Sequence, residues 1–328
     1  MSKSHSGLIS LIALLTITAP PALAQLSAVT AKDYPSKPIR LVIPFAVGGG
    51  TDITARMFAQ RLIPGLRQNI VFDNRGGAGG MIGVDVVAKS APDGYTLLFM
   101  SSAYTTLPYF YKNLPYDPVR DLRPITLVGK NFGQVLAVNP SLPVRSVREF
   151  VALAKANPGK LDYGAAGMTH LATEHFSMLA GIKMNHVPYK GGGPAIIDVI
   201  SGQIQVILPA AQSVVTHIRS GRLRALAITG EERWSQLPNV PTLEESGIKG
   251  YKLVPWYGLW FPAGTRVEYV DRIQSEVAKA LKDREAKRLF EEQGLKGVGS
   301  SAEDLEEAIQ EEFTLVRKLT TMTGIVPQ

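Results

Sequence analysis

Cysteine is absent from the 328-residue sequence, so disulfides, thiol nucleophiles and cysteine-ligated zinc are excluded. The 35 basic residues are dispersed rather than gathered into runs. No basic stripe interleaved with aromatics is present, which argues against a nucleic-acid partner. The formal net charge of +7 suits the steering of small anions instead. After residue 24 no segment is apolar enough to cross a bilayer. The catalytic signatures G-x-S-x-G and H-E-x-x-H are missing, as is the phosphate-binding pattern G-x-x-x-x-G-K-[ST]. His175 and His186 lack acidic or histidine partners at ligand spacing, so no metal is expected, and no cofactor fingerprint occurs.

The N-terminus reads as an export signal. Lys3 supplies the positive start, Leu8 to Thr18 the apolar run, and Ala22-Leu23-Ala24 an A-x-A cleavage pattern before Gln25. The expected product is an exported, periplasmic protein, soluble and monomeric. Its composition, 45% hydrophobic and 19% charged, is that of a folded chain long enough for two domains.

Strand-like and helix-like segments then alternate. Strands are expected at Ile39–Pro44, Asn69–Asp73, Tyr95–Met100 and Asp162–Gly164. Helices are expected at Thr51–Leu66, Ile82–Lys89, Val147–Ala156, Pro194–Ser201 and Ser213–Ser220. Two long helical patterns close the chain, Val267–Glu292 and Ala302–Thr321. Alternation of this kind predicts an α/β fold of two domains, each a mostly parallel sheet flanked by helices. The extended stretches Ile125–Val138 and Lys252–Pro262, the latter holding Trp256, Tyr257, Trp260 and Phe261, are expected to cross between them. Residues 25–130 and 253–328 are assigned to the first domain and 131–252 to the second.

One device occurs in each half: a strand, a loop of small residues, and a helix opening near threonine. In "PFAVGGGTDITAR" the glycines Gly48, Gly49 and Gly50 carry no Cβ, so backbone N–H groups can reach a ligand. Thr51 or Asp52 is expected to cap the helix that follows. In "YGAAGMTHLATEH" the amides of Gly167, Met168 and Thr169 are similarly placed, while His170 donates to a ligand or caps and packs the helix. Such helix starts favour an anion through unpaired donors and the helix dipole, and without a phosphate motif the anion is expected to be a carboxylate. Ser101 and Ser102 follow a strand end and offer hydroxyls. Asp198 either orients a ligand amine or ties down the "PYKGGG" loop. The second glycine cluster, Asn74 to Gly83, reads as a rim loop or a tight strand-to-helix turn.

Several long stretches resemble one family: "YPSKPIRLVIPFAVGGGTDITAR", "NRGGAGGMIGVDVVAKSAPDGYTLL", "HVPYKGGGPAIIDVISGQI" and "GRLRALAITGEERWSQLPNVPTLEESG". They are similar, in order, to the Bug-type extracytoplasmic solute receptors, the substrate-binding subunits of tripartite tricarboxylate transporters. The resemblance implies a Venus-flytrap fold of the periplasmic binding protein type. It also implies a small organic acid as ligand and membrane permease subunits as partners. The implied ligand contacts come from Phe45, Ala46, Gly48, Gly49, Gly50, Thr51 and Asp52, from Ser101 and Ser102, and from Ala166, Gly167, Met168, Thr169 and His170. Tyr189 and Asp198 are implied to lie nearby. Two departures stand out: Val47 replaces a common proline, and only Met168 and Thr169 separate Gly167 from His170, which makes the second loop short and less polar. Two other readings stay open, a ligand sensor that presents its closed form to a sensor kinase, and an exported hydrolase.

Overall fold

A computed structural model of the chain describes residues 33–324 apart from 49, 166–167 and 190–191. The expected signal segment and Gly49, Ala166 and Gly167 therefore lie outside the described residues.

Two sheets carry the fold. The first contains β1 (Ile39–Ile43), β2 (Ile70–Asn74), β3 (Thr96–Ser101), β4 (Leu122–Asn131), β10 (Trp256–Pro262) and β11 (Leu295–Gly297), in the order β11-β4-β10-β3-β1-β2. The second contains β5 (Val135–Val138), β6 (Asp162–Ala165), β7 (Asn185–Pro188), β8 (Val206–Ile207) and β9 (Arg224–Ile228), in the order β7-β6-β8-β5-β9. The expected parallel pairing holds for β2-β1-β3 and for β7-β6-β8. The strands nearest the crossings add antiparallel pairs: β10 with β3 and β4, and β5 with β8 and β9. The cause is connectivity. A chain that leaves one sheet and later returns must insert strands of the opposite sense.

Helices cover both sheets: α1 (Gly50–Leu66), α2 (Met81–Ala88) and α8 (Val267–Lys282) on the first, and α4 (Val147–Ala156), α5 (Met168–Ala180), α6 (Gly192–Ser201) and α7 (Ala211–Arg219) on the second. A short α3 (Leu107–Phe110) follows a 3-10 turn at Ser102–Thr106. The long pattern at Val267–Glu292 is not one helix. It breaks at Asp283, whose extended backbone ends α8 and whose carboxylate accepts from Ala286 N at 2.9 Å to cap α9 (Arg284–Glu292). Apolar spacing runs on through the break, Leu281 to Ala286 to Phe290, because both helices pack on the first lobe; periodicity alone does not register a capping aspartate.

The crossings fall where expected. β4 runs through Phe132, Gly133 and Gln134 directly into β5, and the chain returns from β9 to β10. Gly133 has φ +112 and a Cβ there would sit 2.4 Å from Gly230 N, so only glycine lets the first crossing pass this close to the segment that leaves β9. A third tie comes from α10 (Ala302–Thr323). Its Leu305, Ile309 and Phe313 belong to a core of the first lobe, whereas Val316 and Leu319 enter the core of the second. A fourth contact closes one side of the junction. Trp234 of the second lobe is fully buried, and its indole donates to Glu291 O of α9 at 3.0 Å. Lys296–Glu232 and Lys130–Glu231 pairs flank it at 2.7 and 3.2 Å.

Strand direction fixes what faces the junction. β1 and β3 share the direction of β4, so their carboxyl ends lie on the side where β4 leaves for the second sheet. β6 runs against β5, so its carboxyl end lies where β5 enters. The carboxyl ends of β1, β3 and β6 therefore all lie toward the boundary between the lobes, and open α/β sheets place ligands at such ends.

Candidate functional site

The first loop leaves β1 at Pro44 and enters α1 at Gly50. Gly48 has φ +80, a left-handed conformation that side chains resist, and added Cβ atoms at Gly48 and Gly50 would meet nothing within 4 Å. Backbone, not side chain, borders the open space. Val47 beside it is 71% exposed.

Asp52 organises this loop. It is neither the N-cap nor open to the junction. It lies in the first turn of α1, only 1% exposed, and accepts from Gly48 N at 2.9 Å, Arg56 Nε at 2.9 Å and Asn74 Nδ2 at 2.9 Å. Asn74 also donates to Phe45 O at 3.0 Å, so one carboxylate and one amide pin both arms of the loop. Burial alone would raise the Asp52 pKa, but the bonds from Arg56, Gly48 and Asn74 outweigh it and hold the carboxyl below its usual range. Its charge is thus neutralised within the lobe. The Thr51 and Thr54 side chains are engaged by Tyr257 of β10.

The second glycine cluster packs behind this loop. A Cβ at Gly83 would lie 2.6 Å from Pro44 Cβ, and one at Gly76 would lie 3.3 Å from Ala46 N. These glycines allow α2 and its approach to press against the β1 exit, which accounts for the cluster as a tight turn with a supporting role. At the neighbouring exit, Ser101 ends β3 half-buried, whereas Ser102 is buried at 2% exposure and its carbonyl accepts from Thr105 Oγ1 at 2.8 Å.

In the second lobe, Met168, Thr169 and His170 form the first turn of α5. Met168 is half-buried against the core of its own lobe. The His170 ring stacks on His186 with centroids 3.8 Å apart, and its Nδ1 lies 2.8 Å from Tyr163 OH. Tyr163 also donates to the Glu174 carboxylate, so its single proton is spent there. Its oxygen then accepts from His170 Nδ1–H, which fixes the tautomer and leaves Nε2 as an acceptor. Burial, with His186 adding to it, pushes the His170 pKa down to about 4, so the ring is neutral at physiological pH. His170 is thus tied to Tyr163, His186 and, through Tyr163, Glu174. These partners went unnoticed in sequence, where position 163 is simply one strand residue among many.

Tyr189 and Asp198 bind each other, hydroxyl to Oδ2 at 2.5 Å. Burial and then the Asp198 charge raise the Tyr189 pKa to about 12. Of the two sequence readings for Asp198, the loop-tying one matches this geometry. Tyr189→Phe removes a charge-assisted bond between half-buried groups and is expected to cost about 1–2 kcal/mol, measurable by urea denaturation.

Among the described residues no cluster of three potential metal ligands exists, and no helix is long and apolar enough to cross a membrane. Among the described residues, the helix starts of α1 and α5 are accompanied by carboxylates that are already paired, Asp52, Glu174 and Asp198. Residues 54–325 match the model of the tripartite tricarboxylate transporter family receptor. The chain belongs to that family. Protein BugT of Bordetella pertussis is 38% identical over 275 residues, 81% of this chain and 83% of that one. An R. palustris protein solved with adipate superposes with a TM-score of 0.78 at 33% identity, covering 90% of this chain and all of the other. MatC from Rhodopseudomonas palustris, solved with bound malate, gives 0.72 at 27% identity, covering 87% of this chain and 99% of that one. The chain is a periplasmic-binding-protein-type solute receptor of an α/β, two-lobed fold.

Proposed function

We propose that this receptor captures a small organic mono- or dicarboxylate between its lobes and delivers it unchanged to the permease subunits of a tripartite transporter. What supports this reading is the strand order, which sets the carboxyl ends of β1 and β6, just before α1 and α5, on the sides of their sheets where the chain crosses between lobes. Ligand oxygens accept from backbone N–H groups among Phe45, Ala46, Gly49, Gly50 and Thr51 and among residues 166–169, with Ser101 lining the strand exit between them; the Gly48 N–H is already given to Asp52. Two or three charge-assisted bonds at about 1.5–3 kcal/mol each suffice to hold one carboxylate. Asp52, Tyr189 and Asp198 support the loops and do not touch ligand. The chain acts by binding and closure rather than by catalysis.

The lobes are proposed to be residues 25–130 with 253–328, and 131–252. Segment 1–24 directs export and is removed, so the receptor works in the periplasm. A thermal-shift screen of organic acids on the exported chain tests the reading. Adipate- or malate-like acids are expected to raise Tm, and their amide or alcohol analogues to leave it unchanged. Stabilisation by the neutral analogues alone overturns it.

A further inference from the structure

A cavity of about 770 Å³ lies where α10 passes from one lobe to the other, between that helix and the segment returning to β10. Its volume is within the range of about 300–1,000 Å³ that small-molecule sites occupy. None of the residues lining it belongs to the loops proposed to hold the transported acid. Trp256 is buried at the first-lobe end, and half-buried Tyr251, Val254 and Leu315 continue the apolar wall. From α10 the cavity receives one helical face, Ala308, Glu311, Glu312, Leu315 and Lys318, at spacings of three and four.

Two charges in this cavity are uncommitted. Lys130 and Glu231 pair with each other at 3.2 Å. Glu312 is buried and both of its oxygens are taken: Trp256 Nε1 donates to Oε2, and Thr105 Oγ1 donates to Oε1 at 3.1 Å. Glu311 is exposed at the rim. Lys252 and Lys318 are exposed too, and among the described residues neither ammonium has an ion-pair partner. They share the second-lobe end. Tyr251, next to Lys252, stacks on His175 of α5 with centroids 4.8 Å apart, and burial, then the Lys318 charge, pushes the His175 pKa down to about 4. We propose that the cavity is a second binding site, separate from the proposed ligand cleft, for an amphipathic organic anion. Its one carboxylate or sulfonate is held by Lys252 and Lys318, and its aromatic or branched body lies along Leu315, Val254 and Trp256. The lysine stems add apolar surface behind their charged ends. A small polycarboxylate is disfavoured, because its far charge would stand beside Glu311 and the buried Glu312, neither of which has a cation in partnership.

The test uses 8-anilinonaphthalene-1-sulfonate, two apolar ring systems bearing one sulfonate, with the full exported chain free of other ligand. Its fluorescence titration should saturate. Lys252→Glu combined with Lys318→Glu should weaken it by about tenfold or more, since two attracting charges become two repelling ones. Both lysines are exposed and unpaired, so the fold should hold; if it does not, Lys252→Gln and Lys318→Gln made singly should each weaken the probe by about threefold or more. N-phenyl-1-naphthylamine, the same body without the sulfonate, should bind the native chain about tenfold more weakly and ignore the lysine substitutions. Hydrogen exchange at amides 251–256 should slow at least twofold with the probe bound. Four results each overturn the proposal: no saturable binding, equal affinity in the lysine variants, equal affinity for the neutral analogue, or protection confined to 45–51 and 166–169. Failure of small organic acids to bind at the cleft would end the proposed function and leave all of these readouts in place.

Discussion

Gly50→Glu is expected to weaken binding of the cognate acid at least 100-fold, about 2.7 kcal/mol, while leaving the fold intact. Gly50 is the first residue of α1, is exposed, and has open space where a Cβ would be. Unlike Gly48 it does not hold a positive φ, so a side chain brings no backbone strain. An acidic residue in a first turn favours the helix by about 0.3–1 kcal/mol, so Tm should hold or rise slightly. The same charge stands where the ligand carboxylate is proposed to sit. Coulomb repulsion and occupation of the amide donors both act against binding. Gly50→Ala, which adds neither charge nor clash, is the control and should bind within about threefold of wild type. Isothermal calorimetry with an acid found by the thermal-shift screen reads both, and unchanged affinity in the glutamate variant would place the anion elsewhere.

Asp52→Ala should cost about 1–3 kcal/mol and abolish binding as well. The substitution strips partners from Gly48 N, Arg56 and Asn74 together and leaves a guanidinium without its counter-charge. The pH dependence carries a definite sign. The folded pKa of Asp52 lies below its unfolded value, so its contribution is present above the unfolded pKa and fades as pH falls through the folded one. The gap between wild type and variant, measured by denaturant titration, should be full at pH 7 and shrink below pH 4. Asp52→Asn keeps the shape but turns one acceptor into a donor facing other donors, and should fall between the two. A variant that loses binding without losing stability would mean that Asp52 touches ligand.

Both expectations depend on a loop whose outline was legible in sequence and whose wiring was not. Three glycines between an apolar strand and a helical pattern point to exposed backbone whatever surrounds them. That Asp52 would turn inward depended on Asn74, 22 residues away on the parallel neighbour β2. His170 shows the same limit. Its tautomer is set by Tyr163 and its charge state by burial against His186, both of them partners across the sheet or helix face. The alternation of strands and helices was readable because each element buries one face with its own period. The three-residue β11 and the turn at Ser102–Thr106 were not, since elements that short show no period at all. Position 312 read as one more glutamate on an acidic helix. Only the packing of α10 between lobes turns it inward, away from solvent.

That helix has a mechanical consequence. Two crossing strands alone would let the halves swing about the line that joins them. A brace anchored by Leu305, Ile309 and Phe313 at one end and by Val316 and Leu319 at the other stands off that line. Each degree of swing must then be absorbed as curvature in the brace or as slippage of one of its feet. The swing of the two halves is therefore restrained by a rod remote in sequence from the loops proposed to hold ligand.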